Sequence, residues 1–131
     1  MSDYLLDTHV LLWLTTEPDR VPAGLRQSLE RAERLCVSAA SVYEIAQKVR
    51  LGKLPIAAGM LARWQELMSA MMAEELPLTA AEMLRAGALA WPHRDPFDRM
   101  IVAQAQMNGL QVVTRDEAIL DFSEVSCAPW Q

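Results

Sequence analysis

The stretch Tyr4-Leu5-Leu6-Asp7 is a short apolar run that ends abruptly at an acid. Two later stretches have the same form, since Leu35-Cys36-Val37 ends at Ser38 and Gln111-Val112-Val113 ends at Thr114. Segments with helical spacing separate the three runs. Short apolar runs that alternate with helices are typical of a buried parallel sheet. The sequence therefore predicts an α/β fold with a central, mainly parallel β-sheet flanked by α-helices.

The helices are predicted from apolar residues at helical spacing and from residues that favour helix ends. A helix opened by Pro22 carries the first such pattern, and Thr79-Ala80-Ala81-Glu82 is a capping-box pattern that opens a later one. Three further helices are predicted over residues 41–51, 57–75 and 99–108. The proline in residues 75–78 is tolerated in a short edge strand, which we predict there.

The composition predicts one ordinary globular domain that spans residues 1–131. The net charge of -5 argues against nonspecific coating of duplex DNA or of an anionic membrane. The longest apolar run, Val10-Leu11-Leu12-Trp13-Leu14, is far too short to cross a membrane. The N-terminal residues do not have the pattern of a secretory signal, and Cys36 and Cys127 lack metal-ligand spacing. We therefore expect a cytoplasmic protein with both thiols reduced.

Four acids follow predicted strands or lie near the starts of predicted helices: Asp7, Glu44, Asp98 and Asp116. The carboxyl ends of parallel strands lie along one edge of a sheet, where ligands bind, so we expect the four carboxylates to converge. Each acid also has a purely structural interpretation as part of a helix cap, for example in Ser41-x-x-Glu44 or Thr114-x-x-Glu117.

Helix caps accept Ser, Thr or Asn as readily as Asp, so capping alone does not explain four acids. Carboxylates gathered at one edge repel one another unless a cation lies among them. Mg²⁺ or Mn²⁺ is the cation that such oxygen ligands favour. The acids therefore predict a metal site that acts on a phosphate ester.

Four motifs in order resemble the PIN-domain ribonuclease toxins of the VapC type, over nearly the whole chain. They are residues 5–13 (LLDTHVLLW), 38–45 (SAASVYEI), 93–105 (HRDPFDRMIVAQA) and 113–116 (VTRD). The resemblance implies a single PIN-like domain with Mg²⁺-dependent endoribonuclease activity. It implies the toxin of a type II toxin-antitoxin pair, which cleaves tRNA, rRNA or mRNA by metal-activated water and inhibits translation.

The resemblance also implies roles for particular residues. It makes Asp7, Glu44, Asp98 and Asp116 the metal ligands. Because the apolar helix that follows aligns best with Asp98, we interpret Asp95 as a cap or a supporting acid. Thr8 is placed to bind a metal water or to orient Asp7, or it simply starts a helix.

Basic residues flank the acids in sequence, namely Lys48, Arg94, Arg99 and Arg115. They predict a positive rim that holds an RNA backbone, although ion pairs on a solvated face are the structural alternative. His9 and His93 lie close to proposed ligands but do not form a zinc motif. We interpret His9 as a packed or substrate-facing side chain and His93 as a loop residue.

Met68, Met71 and Met72, with Trp64 and Trp13, supply more apolar surface than one helix face needs. The surplus predicts a groove for a partner helix, which in this family is a segment of a cognate antitoxin; self-association as a homodimer is the competing use. Two other functions compete with this interpretation. A catalytically inactive PIN-like module that binds RNA or protein is the main alternative. A phosphatase or phosphoacceptor domain is disfavoured, because the chain lacks the second Asp and the late-strand Lys that such domains need.

Overall fold

Four parallel strands form the sheet of the computed structural model, which describes residues 2–131. They are β1 (Asp3–Leu6), β2 (Arg34–Ser38), β3 (Glu74–Leu76) and β4 (Gln111–Val113), in the spatial order β3-β2-β1-β4. In the register of the sheet, Leu5 lies opposite Cys36 on one side and Val112 on the other. The predicted α/β fold with a parallel sheet is confirmed, and the edge strand of residues 75–78 is shifted by one residue and shortened.

Eight α-helices surround the sheet in the part of the chain that the structure describes. They are α1 (Thr8–Thr16), α2 (Ala23–Glu30), α3 (Ala39–Arg50), α4 (Ala58–Ala62), α5 (Trp64–Met71), α6 (Ala80–Ala88), α7 (Pro96–Asn108) and α8 (Glu117–Leu120). Two 3-10 turns, Pro18–Arg20 and Pro55–Ala57, connect neighbouring helices. The longest helix has 13 residues, and none between residues 2 and 131 is long and apolar enough to span a membrane.

Helix α3 begins two residues earlier than predicted, because Ser38 rather than Ser41 supplies its cap. The Ser38 hydroxyl accepts a 3.0 Å hydrogen bond from the amide of Ala40. Ser41 is buried inside the helix, so the predicted capping box with Glu44 is wrong. The helix starts directly at the end of β2, and this brings Glu44 to the carboxyl edge of the sheet.

The predicted helix over residues 57–75 is divided into the turn Pro55–Ala57, α4 and α5. Arg63 separates the two helices with a φ of -117°. Helix α5 ends at Met72, whose φ of 53° is left-handed, and the amide of Ala73 donates to the carbonyl of Met68. This helix end turns the chain toward the sheet, so residues 74–76 pair with β2 instead of continuing the helix.

Two other helix starts show how local signals act. Thr79 and Glu82 form both bonds of the predicted capping box. Helix α7 starts at Pro96 rather than at residue 99, because Asp95 caps it and proline is favoured at the first position. Gly109 ends this helix with a φ of 65°, a left-handed conformation that glycine adopts freely.

The sheet carries a separate apolar cluster on each face. Strand alternation directs Leu6, Val37 and Val113 to one face, where α1, α2 and α3 cover them. Leu5, Cys36 and Val112 face the other side, where α7 and α8 pack. Cys36 and Cys127 are both unpaired, as expected. Burial of both faces holds the strands rigidly, so that their carboxyl ends form a stable platform.

Candidate active site

The carboxyl edge of the sheet holds one cleft, lined by all four predicted acids. Asp7 directly follows β1, Asp116 lies beyond β4, and Asp98 and Glu44 come from α7 and α3. The lining also includes Thr8, His9, Leu12, Lys48 and Asp95. The cleft has a volume of about 210 Å³, which suits small ions or part of a substrate better than a whole ligand. The fold thus brings together acids that lie more than a hundred residues apart.

Asp7 is the most buried of the four acids, with 3% of its surface exposed. One carboxylate oxygen caps α1 by accepting from the amide of Thr8 at 2.8 Å. The other accepts the hydroxyl of Thr114 at 2.7 Å and lies 3.4 Å from Nδ1 of His9. Burial raises the pKa of Asp7 above its usual value, helped by nearby Glu44 and opposed by His9 and the hydrogen bonds. A cation in the cleft would relieve this cost.

Thr114 is a site residue that the sequence analysis treated only as a possible cap. Its hydroxyl donates to Asp7 and accepts the amide of Asp116 at 2.9 Å, so it links two of the acids. The capping box predicted for Thr114 and Glu117 is wrong, because Asp116 itself caps α8 through the amide of Ala118. Its position in the sequence could have indicated this role, since Thr114 directly follows β4 just as Asp7 directly follows the neighbouring β1.

Thr8 does not orient Asp7 through its hydroxyl. That hydroxyl donates a 2.9 Å hydrogen bond to Ser41, and both side chains are buried. The bond ties α1 to α3 beneath the cleft. Thr8 thus contacts Asp7 through its backbone amide alone, as the first residue of α1, and the orienting hydroxyl is that of Thr114.

Asp98 lies 2.7 Å from Nε2 of His93. Burial, together with the neighbouring charges of Asp7, Asp95 and Asp116, raises the pKa of Asp98 to about 7, although the bond from His93 opposes the shift. One donor atom from each of His93, Asp98 and Asp116 lies within 4.8 Å of the other two. His93, interpreted from sequence as a loop residue, is therefore part of the site.

The other two acids that line the cleft, Glu44 and Asp95, have defined partners. Glu44 accepts a 2.9 Å hydrogen bond from Lys48 one turn later in α3. Asp95 caps α7 by accepting the amides of Phe97 and Asp98, at 2.9 and 3.1 Å. Asp95 is thus the helix cap that the sequence analysis considered, and it also lines the cleft. Its capping bonds place Asp98 in the first turn of α7.

Arg99, predicted to contact RNA, is bound by the backbone of the protein itself. Its guanidinium donates to the backbone carbonyls of five residues in the segment before α7: Ala86, Gly87, Leu89, Trp91 and His93. Because these bonds occupy its donors, Arg99 holds this segment in place. The predicted RNA contact of Arg99 is corrected on this ground.

The other predicted basic residues are more accessible. Arg94 and Arg115 are exposed, and Lys48 lines the cleft and forms an ion pair with Glu44. The guanidinium of Arg115 lies 5.4 Å from the ring centroid of Trp130. The Arg115 amide donates to Nε2 of His9 at 3.0 Å. His9 also contacts Trp13 edge to face, so it is a packed side chain at the border of the cleft.

The chemistry of the donor set fits a hard divalent cation. Five carboxylates share a small cleft, and burial, together with neighbouring carboxylates, raises the pKa of both Asp7 and Asp98. Carboxylate oxygens are the ligands that Mg²⁺ and Mn²⁺ prefer. Asp7, Asp98, Asp116 and Glu44 are therefore the residues that could hold such an ion.

Two kinds of known protein are similar to this chain. Ribonuclease VapC22 of Mycobacterium tuberculosis is 31% identical over 119 residues, which cover 91% of each chain. Among solved structures, one similar chain comes from the structure of VapBC2 of Rickettsia felis, which is bound to a DNA fragment from the VapBC2 promoter. It superimposes with a TM-score of 0.69 at 13% identity, over 98% of each chain. A chain of DNA-bound VapBC from Salmonella typhimurium has a TM-score of 0.68 at 20% identity, over the full length of both chains.

These two structures show the shared fold, while the relative from Mycobacterium tuberculosis extends the similarity to the sequence. A family model for the PIN domain matches residues 4–125. This range contains all five acids that line the cleft and every strand residue except the first residue of β1. The chain therefore belongs to the PIN domain family.

Proposed function

We propose that this protein is a Mg²⁺-dependent endoribonuclease, with Mn²⁺ as a possible substitute, and the toxin of a type II toxin-antitoxin module. The observation that carries the proposal is the convergence of Asp7, Glu44, Asp98 and Asp116 in one cleft. The ribonuclease name of its relative from Mycobacterium tuberculosis supports the same activity. The substrate we infer is cellular RNA, and the place of action is the cytoplasm.

In this proposal the four acids hold the ion and the surrounding residues hold the acids. When bound, the ion neutralises phosphate charge and makes water a stronger nucleophile. Thr114 keeps Asp7 and Asp116 together, and Asp95 fixes the helix turn that carries Asp98. No protein nucleophile is required, because the carboxylates act as ligands and the substrate is attacked by water.

The RNA backbone would reach the cleft past Lys48, Arg94 and Arg115. All three are accessible, and Lys48 lines the cleft itself. Local positive charge of this kind allows a protein with a net charge of -5 to bind a polyanion near its acidic centre. Lys48 serves two purposes here, since it neutralises Glu44 in the free protein and can contact phosphate in the complex.

The proposed antitoxin partner has a matching surface. Met71 and Met72 line an apolar groove of about 640 Å³ between α1, α2 and α5, and Met72 is 86% exposed. Met68 is buried in the core instead, so only part of the methionine surplus faces outward. The solved relatives from Rickettsia felis and Salmonella typhimurium are VapBC assemblies. We propose that a segment of a cognate VapB-like antitoxin occupies this groove, and that the toxin forms a homodimer.

The decisive experiment is cleavage of total cellular RNA by purified protein that has been freed of antitoxin. The arms are Mg²⁺, EDTA, and Mg²⁺ with Asp7→Asn, with cut ends mapped by sequencing. Asp19→Asn is the matched control, because this acid is exposed and does not line the cleft. We expect discrete cuts that need both Mg²⁺ and Asp7 and that persist in the control variant.

Cuts that survive EDTA or Asp7→Asn would exclude the proposed mechanism. If folded protein cuts none of a broad set of RNAs, the inactive PIN-like binding module becomes the better function. Co-expression with a small reading frame found next to the gene for this protein tests the partner, since a cognate antitoxin should co-purify and suppress cleavage. Light scattering of the free toxin then tests whether it is a homodimer.

A further inference from the structure

We infer that His93 supplies a nitrogen ligand to the ion in the cleft, together with Asp98 and Asp116, so that the site binds Mn²⁺ in preference to Mg²⁺. The inference rests on the proposed function, because it requires that the acid cleft holds a divalent cation. It goes further by changing the donor set from oxygen alone to oxygen with imidazole nitrogen.

The first observation is the distance between the donor atoms. The three atoms of His93, Asp98 and Asp116 all lie within 4.8 Å of one another, and the His93 to Asp98 distance is 2.7 Å. Ligands bound to one ion at about 2.1 Å lie at most about 4.2 Å apart. Only a small closing movement would therefore bring the three atoms around one ion.

The second observation is that His93 is held in place both at its ring and at its backbone. It packs against Trp91 at 4.8 Å between ring centroids, and Trp91 stacks on Phe122 at 4.7 Å with an interplanar angle of 8°. Arg99 donates to the backbone carbonyls of both Trp91 and His93, at 2.7 and 2.9 Å. This support keeps the imidazole beside Asp98, as is usual for residues that hold metals.

The other histidine of the chain is not equally available. Nε2 of His9 accepts the amide of Arg115 at 3.0 Å. An amide can only donate, so Nε2 carries no proton and the neutral ring carries its proton on Nδ1, which faces Asp7. The proton-free nitrogen of His9, which a metal would need, thus already accepts a backbone amide, whereas Nε2 of His93 contacts the carboxylate of Asp98, a proposed ligand of the same ion.

A nitrogen ligand changes which metal the site prefers. Mg²⁺ and Mn²⁺ both favour carboxylate oxygens, but Mn²⁺ is a transition-metal ion and binds an imidazole nitrogen more readily than Mg²⁺ does. Neutral imidazole binds metal through the nitrogen without the proton, so the His93 proton would lie on Nδ1 in the complex. Loss of His93 should then weaken Mn²⁺ binding more than Mg²⁺ binding.

The test uses untagged full-length protein loaded with Mn²⁺ and measured by pulsed electron paramagnetic resonance, which detects ¹⁴N bound to Mn²⁺. The chain has two histidines, so His9→Gln leaves His93 as the sole imidazole, while His93→Gln leaves His9. Calorimetric titration with Mn²⁺ and with Mg²⁺ gives the affinities. Circular dichroism confirms that each variant is folded, and ¹⁵N-histidine labelling of the unmutated protein gives an independent readout.

We expect the imidazole signal in the unmutated protein and in His9→Gln, and its loss in His93→Gln. Mn²⁺ affinity should fall at least about 10-fold in His93→Gln, and Mg²⁺ affinity less. A signal that is absent from the unmutated protein, or that follows His9, overturns the inference. RNA cleavage by Mn²⁺-loaded protein without the signal would leave the proposed function standing, whereas a signal without cleavage would reject the proposed function alone.

Discussion

The hydroxyl of Thr114 donates a 2.7 Å hydrogen bond to the carboxylate of Asp7, and 1% and 3% of the two residues are exposed. The two residues are 107 positions apart and meet because β1 and β4 are neighbouring parallel strands. Leu6 pairs with Val113, so the next residue on each strand leaves the sheet at the same place. A buried carboxylate oxygen is thereby given a partner by the topology of the sheet.

Replacing Thr114 by Val should leave this Asp7 oxygen without its donor. We expect a loss of about 1 to 3 kcal/mol in the free energy of unfolding, because an unsatisfied buried acceptor keeps its full desolvation cost. The pKa of Asp7 should rise further, since this bond lowers it. Urea unfolding measures the stability, and the pH dependence of RNA cleavage reports the pKa of Asp7. Thr114→Ser keeps the hydroxyl and should restore both, and equal behaviour of Val and Ser would contradict the assigned role.

The stability of the metal-free protein should depend on Asp98 in a defined pH window. The pKa of Asp98 rises from 3.8 to about 7 on folding, so between these values the folded chain retains a proton that the unfolded chain has lost. Folding is therefore favoured below this window, and stability falls as the pH rises through it. This sign is opposite to that of a salt-bridged carboxylate.

Asp98→Asn removes this charge and should make the protein relatively more stable as the pH rises. Its advantage over the unmutated protein should be small near pH 4.5 and reach on the order of 2 to 4 kcal/mol by pH 8, since one pKa unit is about 1.4 kcal/mol. Thermal and urea unfolding in EDTA measure this difference. Added Mg²⁺ should reduce it, and a difference that does not change with pH would contradict the raised pKa.

Arg99 and Arg94 offer a matched pair of substitutions. Arg99→Gln removes the donors to five backbone carbonyls, so we expect a loss of at least about 2 kcal/mol in the free energy of unfolding. Arg94→Gln should leave stability within about 0.5 kcal/mol, because the side chain is exposed.

In RNA binding the order should be reversed, with the larger effect expected for Arg94→Gln. Arg94→Gln, measured with an Asp7→Asn background to prevent cleavage, should weaken RNA binding and reduce its salt dependence. Arg99→Gln should change RNA binding only to the extent that it unfolds the protein. An unchanged salt dependence in Arg94→Gln would remove Arg94 from the proposed RNA path.

Met72→Gly should stabilise the protein. Met72 has a φ of 53°, a left-handed conformation that costs a residue with a Cβ about 1 kcal/mol and that glycine adopts freely. The side chain is 86% exposed, so little packing is lost. Met72→Ala is the control, because it shortens the side chain but keeps the strain. Urea unfolding should show Met72→Gly as the more stable variant by about 0.5 to 1 kcal/mol.

Features decided by neighbouring residues could be predicted from sequence. The strands around Leu5, Cys36 and Val112 follow from uninterrupted apolar runs, which only a sheet covered on both faces can bury. The caps at Thr79 and Asp95 follow from side chains that bond amides two or three residues away. In each case the interacting groups are local, so the pattern is visible in the chain itself.

Features that depend on a competing partner could not be predicted in this way. Ser38 and Ser41 are both acceptable caps, and the end of β2 decides between them. Apolar residues continue at helical spacing through residues 57–75. Residues 74–76 nevertheless pair with β2 in the sheet, so the helical segment stops before them. Arg99 directly follows Asp98 in sequence, but the carbonyls of the preceding segment bind it.

The fold class, the candidate acids and the family pattern can be derived from the order of the residues, because hydrophobic periodicity and short motifs are properties of adjacent residues. Which other groups join the acids depends on the folded arrangement. Thr114 reaches Asp7 across two strands, and His93 reaches Asp98 on a segment held by Arg99 and an aromatic stack. These contacts form because burial of both sheet faces brings distant segments together. The residues next to each group in the sequence do not show where those segments lie.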